Sequence, residues 1–263
     1  MTRIVTAVNQ KGGVGKTTTV YHLARAAQRK GLKVLAIDID PQGSLTSSLS
    51  QEDLTGTLGL AEVLSPEKNE TMENALAPSV WEGVDLVPTT GQVLSYVRNE
   101  LFAHNIGSEF RLKKAIKALG DDRYDLILID CPPSIDILTI NALVAADEVL
   151  IVTHAALYSL NGIAHLIENV QEIRGTYNSD LCISGIIINQ YEGHLNAPRA
   201  RKMELAQAVE QMGLPIYEPA VPKRTLIAET AENGQALDDY TSEDVQQLVK
   251  IYDSYISKLV GEA

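Results

Sequence analysis

Gly12, Gly13, Gly15, Lys16 and Thr17 fall in one short run, Asn9-Gln10-Lys11-Gly12-Gly13-Val14-Gly15-Lys16-Thr17-Thr18-Thr19. Glycines let a backbone bend tightly and turn successive N–H groups toward one point, the arrangement that receives a phosphate. A lysine placed directly after them can reach the outer phosphates, and the next hydroxyl can bind Mg²⁺. Residues 10–17 read Q-K-G-G-V-G-K-T. Gln10 therefore stands where the ordinary G-x-x-x-x-G-K-[ST] loop has its first glycine, and a second lysine, Lys11, lies inside the loop. A metal held on a phosphate needs carboxylates close by. Asp38, Asp40 and Asp130 are the candidates, each at or just beyond the end of an apolar run.

The loop can work only if a strand enters it and a helix leaves it. Ile4-Val5-Thr6-Ala7-Val8 reads as the strand, and Val20, Leu23, Ala24 and Ala27 carry the spacing of one helix face. The helix adds the positive end of its dipole to the phosphate side. Lys33–Asp38 and Tyr124–Asp130 are apolar runs ending in acids, as buried parallel strands do when their carboxyl ends face a ligand. Cys131-Pro132-Pro133-Ser134 breaks the second of these sharply. Further strands are expected at 84–88, 147–153 and 182–188, with helices at 58–65, 92–104, 110–119, 156–173 and 197–212. Residues 66–78 read as a surface excursion. Strands alternating with helices along the whole chain predict a single α/β domain spanning 1–263, with a doubly wound, mostly parallel sheet and helices on both faces.

At 263 residues and 45% hydrophobic, the chain can bury a large core and is not disordered as a whole. Its formal net charge of −12 means that any nucleic-acid binding must come from a local basic patch. Cys131 and Cys182 show no paired spacing, so neither a disulfide framework nor a zinc site is expected. Cys131 reads as a small packing residue, and the five histidines show no metal spacing. With no leader and no apolar run approaching the ~18 residues of a membrane span, a cytoplasmic protein is expected. Near the C-terminus, Thr241 and Asp244 match a capping box. Val245, Leu248, Val249, Tyr252, Tyr255, Ile256 and Leu259 then form an apolar stripe. The polar side of that helix is acidic, so docking on the protein's own sheet is expected rather than a membrane.

The loop resembles the deviant Walker A motif, K-G-G-x-G-K-[ST], of the ParA/MinD ATPases. Asp38-Ile39-Asp40-Pro41-Gln42-Gly43-Ser44 resembles the switch I segment of ParA-type partition ATPases, and Ile129-Asp130-Cys131-Pro132-Pro133-Ser134 resembles their switch II. Val221-Pro222-Lys223-Arg224 with Glu229 resembles their late [IV]-P-[RK]…E segment. The likeness runs from residue 2 to about residue 256.

The resemblance implies an ATPase that uses ATP and Mg²⁺ and forms a homodimer with ATP. Lys11 would cross the dimer interface to the partner's phosphates, Asp40 would position the attacking water and link it to the metal, and Thr17 and Asp130 would support Mg²⁺. Gly12, Gly13, Val14, Gly15, Lys16, Thr17 and Thr18 would hold the phosphates, and Pro222 would lie in the nucleotide-binding set. Asn189, closing the strand Ile186-Ile187-Ile188, would contact adenine through its amide. The family binds DNA nonspecifically through late basic residues, which here would be Arg199, Arg201, Lys202, Lys223 and Arg224. A ParB-like centromere-binding partner and nucleoid association follow from the same likeness, and the acidic C-terminal helix argues against membrane contact. Because the chain begins at the loop strand, a helix-turn-helix domain and site-specific operator binding are not expected. A positioning ATPase for a protein cargo on the nucleoid would share this chemistry. A MinD-like membrane-surface ATPase is the further alternative. Reductases related to the nitrogenase iron protein need cluster cysteines, and Lys16-Thr17 disfavours a dehydrogenase.

Overall fold

The computed structural model describes residues 2–261, apart from residues 51, 55, 104, 105, 121, 157 and 158 and the side chain of residue 159. In chain order its elements are β1 (Arg3–Val8), α1 (Lys16–Arg29), β2 (Val34–Asp38), α2 (Ser44–Leu49), α3 (Leu60–Leu64), β3 (Ala77–Pro78) and β4 (Val84–Val87). Then come α4 (Val93–Ala103), α5 (Arg111–Ala118), β5 (Leu126–Asp130), α6 (Ile137–Ala145), β6 (Glu148–His154) and α7 (Ser159–Thr176). The chain closes with β7 (Cys182–Asn189), α8 (Asn196–Gln211), β8 (Ile216–Tyr217), α9 (Thr225–Glu232) and α10 (Glu243–Val260).

The strands form one sheet in the order β3-β4-β2-β5-β1-β6-β7-β8. All neighbours are parallel except the edge pair β3–β4. Both faces are covered, and the period of two along each strand divides the core into two layers. On β5, Leu126 and Leu128 join the layer built by α1, α2, α9 and α10. Ile127 and Ile129 join the opposite layer, built by α3 to α8. This is the doubly wound α/β arrangement expected from the alternation of elements. β1 sits between β5 and β6, so the chain crosses to both sides of it, and a ligand crevice opens at its carboxyl end.

Several elements go beyond the sequence expectation, each for a physical reason. α6 reads Ile-Leu-Thr-Ile-Asn-Ala-Leu-Val-Ala; it is largely buried and shows no amphipathic stripe. Its start is marked instead by Asp136, whose side chain accepts a hydrogen bond from Leu138 N at 3.0 Å. α2 and α9 are short, and β3 is a two-residue edge strand containing Pro78. Residues 104 and 157–158, at the edges of two expected helices, lie outside the described residues.

The capping box at Thr241 and Asp244 does not form. Ser242 is the N-cap in extended backbone and makes no side-chain cap, so the helix begins one residue later than the box requires. The Tyr240 carbonyl is taken instead by Gln246 Nε2 at 2.6 Å. The apolar stripe of α10 is buried throughout, against α1 and β8. His22 of α1 stacks on Tyr252 with ring centres 4.8 Å apart, and Tyr217 of β8 meets Tyr255 edge to face. Exposing seven such side chains would cost on the order of 10–20 kcal/mol, so α10 is a core element and not a free membrane anchor. No helix among the described residues is long and apolar enough to cross a membrane.

Candidate functional site

The loop between β1 and α1 is held from its first residue. Asn9 is buried; its Nδ2 donates to Val152 O of β6 at 2.7 Å, and its Oδ1 accepts Lys11 N at 2.9 Å. Gly13 and Gly15 have φ of 74° and 83°, left-handed values that glycine adopts without steric cost. A Cβ on Gly15 would lie 2.1 Å from Asn189 Nδ2, so close approach as well as conformation demands glycine there. The Val14 side chain is buried, which leaves its backbone as the part available to a ligand. α1 starts at Lys16 with no acidic residue in its own first turn, so its positive end faces the loop. The Lys16 side chain is 7% exposed, and the Lys11 side chain is exposed with no hydrogen bond or ion pair among the described residues.

The sheet register brings two of the three strand-end acids side by side. Asp38 of β2 pairs with Asp130 of β5, and both are fully buried. Asp38 is saturated: Oδ2 accepts Thr46 N and Oγ1, each at 2.8 Å, and Oδ1 accepts Asp40 N at 3.2 Å. Burial pushes its pKa up to about 7 despite these donors. Asp130 receives the Thr17 hydroxyl on Oδ2 at 2.6 Å, while its Oδ1 has no partner among the described residues. Burial first and the Asp38 carboxylate second raise its pKa well above the usual carboxylate range. A buried, orphaned carboxylate oxygen beside a threonine hydroxyl is a donor set that fits a small hard cation. No cluster of three His, Cys, Asp or Glu side chains forms a metal cage among the described residues. A Mg²⁺ here would take its remaining ligands from phosphate and water, as this ion usually does.

Asp40 lies one step outside the pair, half-buried, with Oδ1 accepting Gln42 N at 2.9 Å. It lines a cavity of about 580 Å³ together with Gly12, Gly13, Gly15, Lys16, Thr17 and Thr18. Gln42, Ser44, Ser47 and Ser48 also line the cavity, as do Pro133, Gln190, Ala228, Ala231 and Glu232. The α9 residues and Gln190 were not singled out by sequence reasoning. Nor was Asn9, whose signal was visible: a side-chain acceptor two residues before a loop N–H, the pattern of an Asx turn. Cys131 is buried with its Sγ 3.1 Å from Thr6 Oγ1, and burial pushes its pKa up to about 12, so it is an inert packing residue.

Some expected site residues stand elsewhere. Asn189 does not line the cavity; its amide turns under the loop, donating to Val14 O at 3.0 Å and accepting Gln190 N at 2.8 Å. The reason is position: the end of β7 abuts the loop itself, and the nearest polar groups are loop carbonyls. Pro222 also lies off the cavity lining and bridges to Tyr191. Of the expected DNA-facing cations, three are engaged by acids. Arg201 pairs with Glu204 at 2.6 Å, Lys202 with Glu218 at 2.8 Å and Lys223 with Glu192 at 3.4 Å. Lys202 also stands 5.2 Å from the centre of the Tyr191 ring. Arg199 is exposed in the first turn of α8, and Arg224 donates to the Lys223 carbonyl at 3.3 Å.

A glycine loop running from a central parallel strand into a helix, with Lys16 and Thr17 facing a strand-end aspartate, defines a P-loop nucleotide hydrolase of the deviant type. Comparison with known proteins agrees. Residues 2–183 match the family described as AAA domain. The sporulation initiation inhibitor protein Soj of Bacillus subtilis is 33% identical over 237 residues, covering 90% of each chain. The chromosome-partitioning ATPase Soj of Thermus thermophilus is 33% identical over 235 residues, 89% of this chain and 87% of that one. Among solved structures, cobyrinic acid a,c-diamide synthase from Mycobacterium smegmatis with bound ATP analogue and magnesium is 31% identical. It superposes with a TM-score of 0.77, covering 88% of this chain and 91% of that one. The chain belongs to the ParA/MinD-type P-loop ATPases.

Proposed function

We propose that this ATPase partitions or positions a cargo, as an ATP-bound dimer that binds DNA nonspecifically and is released when a ParB-like partner stimulates hydrolysis. The observation that carries the reading is the deviant loop with Lys11 exposed and, among the described residues, unpaired beside the loop-lined cavity. The names of the two Soj relatives and the ATP analogue and magnesium of the Mycobacterium smegmatis structure support it. Lys16 binds the outer phosphates, and Thr17 and Asp130 hold Mg²⁺, whose charge offsets that of the phosphates. Asp40, on the wet side of the buried acid pair, positions the attacking water. Lys11 of a second subunit completes the charge at the transferred phosphate, so that assembly gates turnover. A protein cargo carried on the nucleoid would use the same chemistry. The membrane alternative finds no support in α10, whose apolar face is spent on the core.

An Asp40→Ala protein is expected to bind Mg·ATP as the parent does but to turn over ~10²–10⁴-fold more slowly, the usual worth of a positioned acid or base. The ATP dimer should persist in sedimentation; parental turnover would remove the water-positioning role.

The DNA reading is tested by binding with ATP, with ADP and without nucleotide across a salt series. The net charge of −12 repels DNA, and three of the candidate cations carry their own acids, so one protomer should bind weakly. Two protomers neutralising about four to eight phosphates give a slope of log affinity against log salt of roughly −4 to −7. Replacing Lys223 and Arg224 by alanine should weaken binding to every sequence alike and flatten the slope. Binding that is equally strong in all three states, or absent from all, would leave an ATPase without the DNA cycle.

A further inference from the structure

Asn189 closes β7, in register with His154 of β6, and its side chain is 3% exposed. Both ends of its amide are used within the chain. Nδ2 donates to Val14 O at 3.0 Å and reaches Gly15 O at 3.5 Å, while Oδ1 accepts Gln190 N at 2.8 Å. Gln190 has φ of 50°, a left-handed value that costs energy for a residue with a Cβ. In that conformation its own amide lies 3.4 Å from Gly13 O. Two consecutive amides on one strand end thus hold the Gly13 and Val14 carbonyls and reach that of Gly15, which also accepts Thr19 N of α1 at 2.9 Å.

In a planar trans peptide the carbonyl and the N–H of the next residue point in opposite directions. Carbonyls of Gly13, Val14 and Gly15 that face β7 turn the N–H groups of Val14, Gly15 and Lys16 the other way. We propose that Asn189, seconded by Gln190, is a positioning residue, a carbonyl clamp that aims these N–H groups at the phosphates before nucleotide arrives. The inference rests on the reading that Mg·ATP is the ligand. The loop needs such a clamp because Gly12, Gly13 and Gly15 leave it little intrinsic rigidity. Without it, the entropy of ordering the backbone would fall on the binding step. Gly15 itself is shaped to the clamp, since a Cβ there would meet Asn189 Nδ2 at 2.1 Å.

Because the clamp acts on phosphate donors, its effect is blind to the base. Asn189→Leu keeps the size of the side chain and loses the amide without adding charge beside the phosphates, and Gln190→Ala removes the exposed second grip. Titrate parent and variants with Mg·ATP, Mg·GTP and Mg·tripolyphosphate, with the thermal midpoint of each protein recorded without ligand. For Asn189→Leu all three dissociation constants should rise together by about tenfold, the size expected when a buried acceptor loses a donor. Gln190→Ala should show the same pattern at about two- to fivefold. The loss should fall on KM for ATP and leave kcat at saturation within about twofold, since bound phosphates then hold the loop. A merely destabilised protein would lose both. A change confined to ATP and GTP, with tripolyphosphate unaffected, would show that the amide reads the base and overturn the clamp. Unchanged constants for all three in both variants would overturn it as well. A parent that binds none of the three would overturn the Mg·ATP reading and the clamp with it.

Discussion

A Lys11→Ala protein is expected to bind Mg·ATP with parental affinity, to remain monomeric and to lose hydrolysis by about 10³-fold or more. The Lys11 side chain is exposed and, among the described residues, forms no ion pair that would require its charge. The backbone around it is required, because Lys11 N is tied to Asn9 Oδ1 at 2.9 Å, and alanine preserves that bond. A cation delivered in trans to a transferring phosphate is worth ~10³–10⁵ in rate. Without it, two nucleotide-loaded faces also bring like charges together, and the dimer is not held. Sedimentation with ATP and single-turnover hydrolysis measure both effects. Mixing Lys11→Ala with Asp40→Ala gives the sharper result. In a mixed dimer, the site on the Lys11→Ala subunit has its own Asp40 and receives Lys11 from the partner. Turnover above that of either variant alone is therefore expected. Normal dimers and normal turnover for Lys11→Ala would remove the trans role.

Lys16→Ala is expected to abolish useful nucleotide binding. Lys16 is 7% exposed at the first position of α1, with the buried Asp38–Asp130 pair close enough for its charge to favour the ionised Asp130. Removing one partner from a buried charge contact costs ~3–5 kcal/mol, which is ~10²–10³-fold or more in affinity. Lys11 cannot substitute, because its side chain is exposed at the other end of the loop. Calorimetric titration with Mg·ATP reads the effect directly, and an affinity within about threefold of the parent would contradict it. The contrast between the two lysines is the informative part: one variant keeps ATP and loses assembly, the other loses ATP.

Much of this was legible beforehand because the relevant signals are local. β2 and β5 are buried on both faces, so they appear as unbroken apolar runs ending in acids. The loop is a contiguous motif, and α10 buries one face, which leaves spacings of three and four in the sequence; α1 is buried on most sides, but its apolar residues still follow the loop at helical spacing. An element that buries every side, such as α6, carries no such period, and α2, six residues long with Leu45, Thr46, Ser48 and Leu49 buried, is too short and too polar in sequence to show one.

The sequence by itself determined the fold class, the phosphate loop with Lys16 and Thr17, the three strand-end acids and the burial of the α10 stripe. Each follows from residues adjacent in the chain or spaced by one helical turn. What it left open were relations between distant segments. Register alone set Asp38 against Asp130, and α2 alone brought Thr46 to saturate the first, leaving the second with an orphan oxygen. Asn189 reads as a strand-end amide, yet its donor lands on Val14, 175 residues earlier. Lys202 reads as a free cation until β8 and its following turn deliver Glu218. Hydrogen bonds and ion pairs are decided by distances of a few ångströms, and only the folded sheet, which places strand ends side by side, sets those distances.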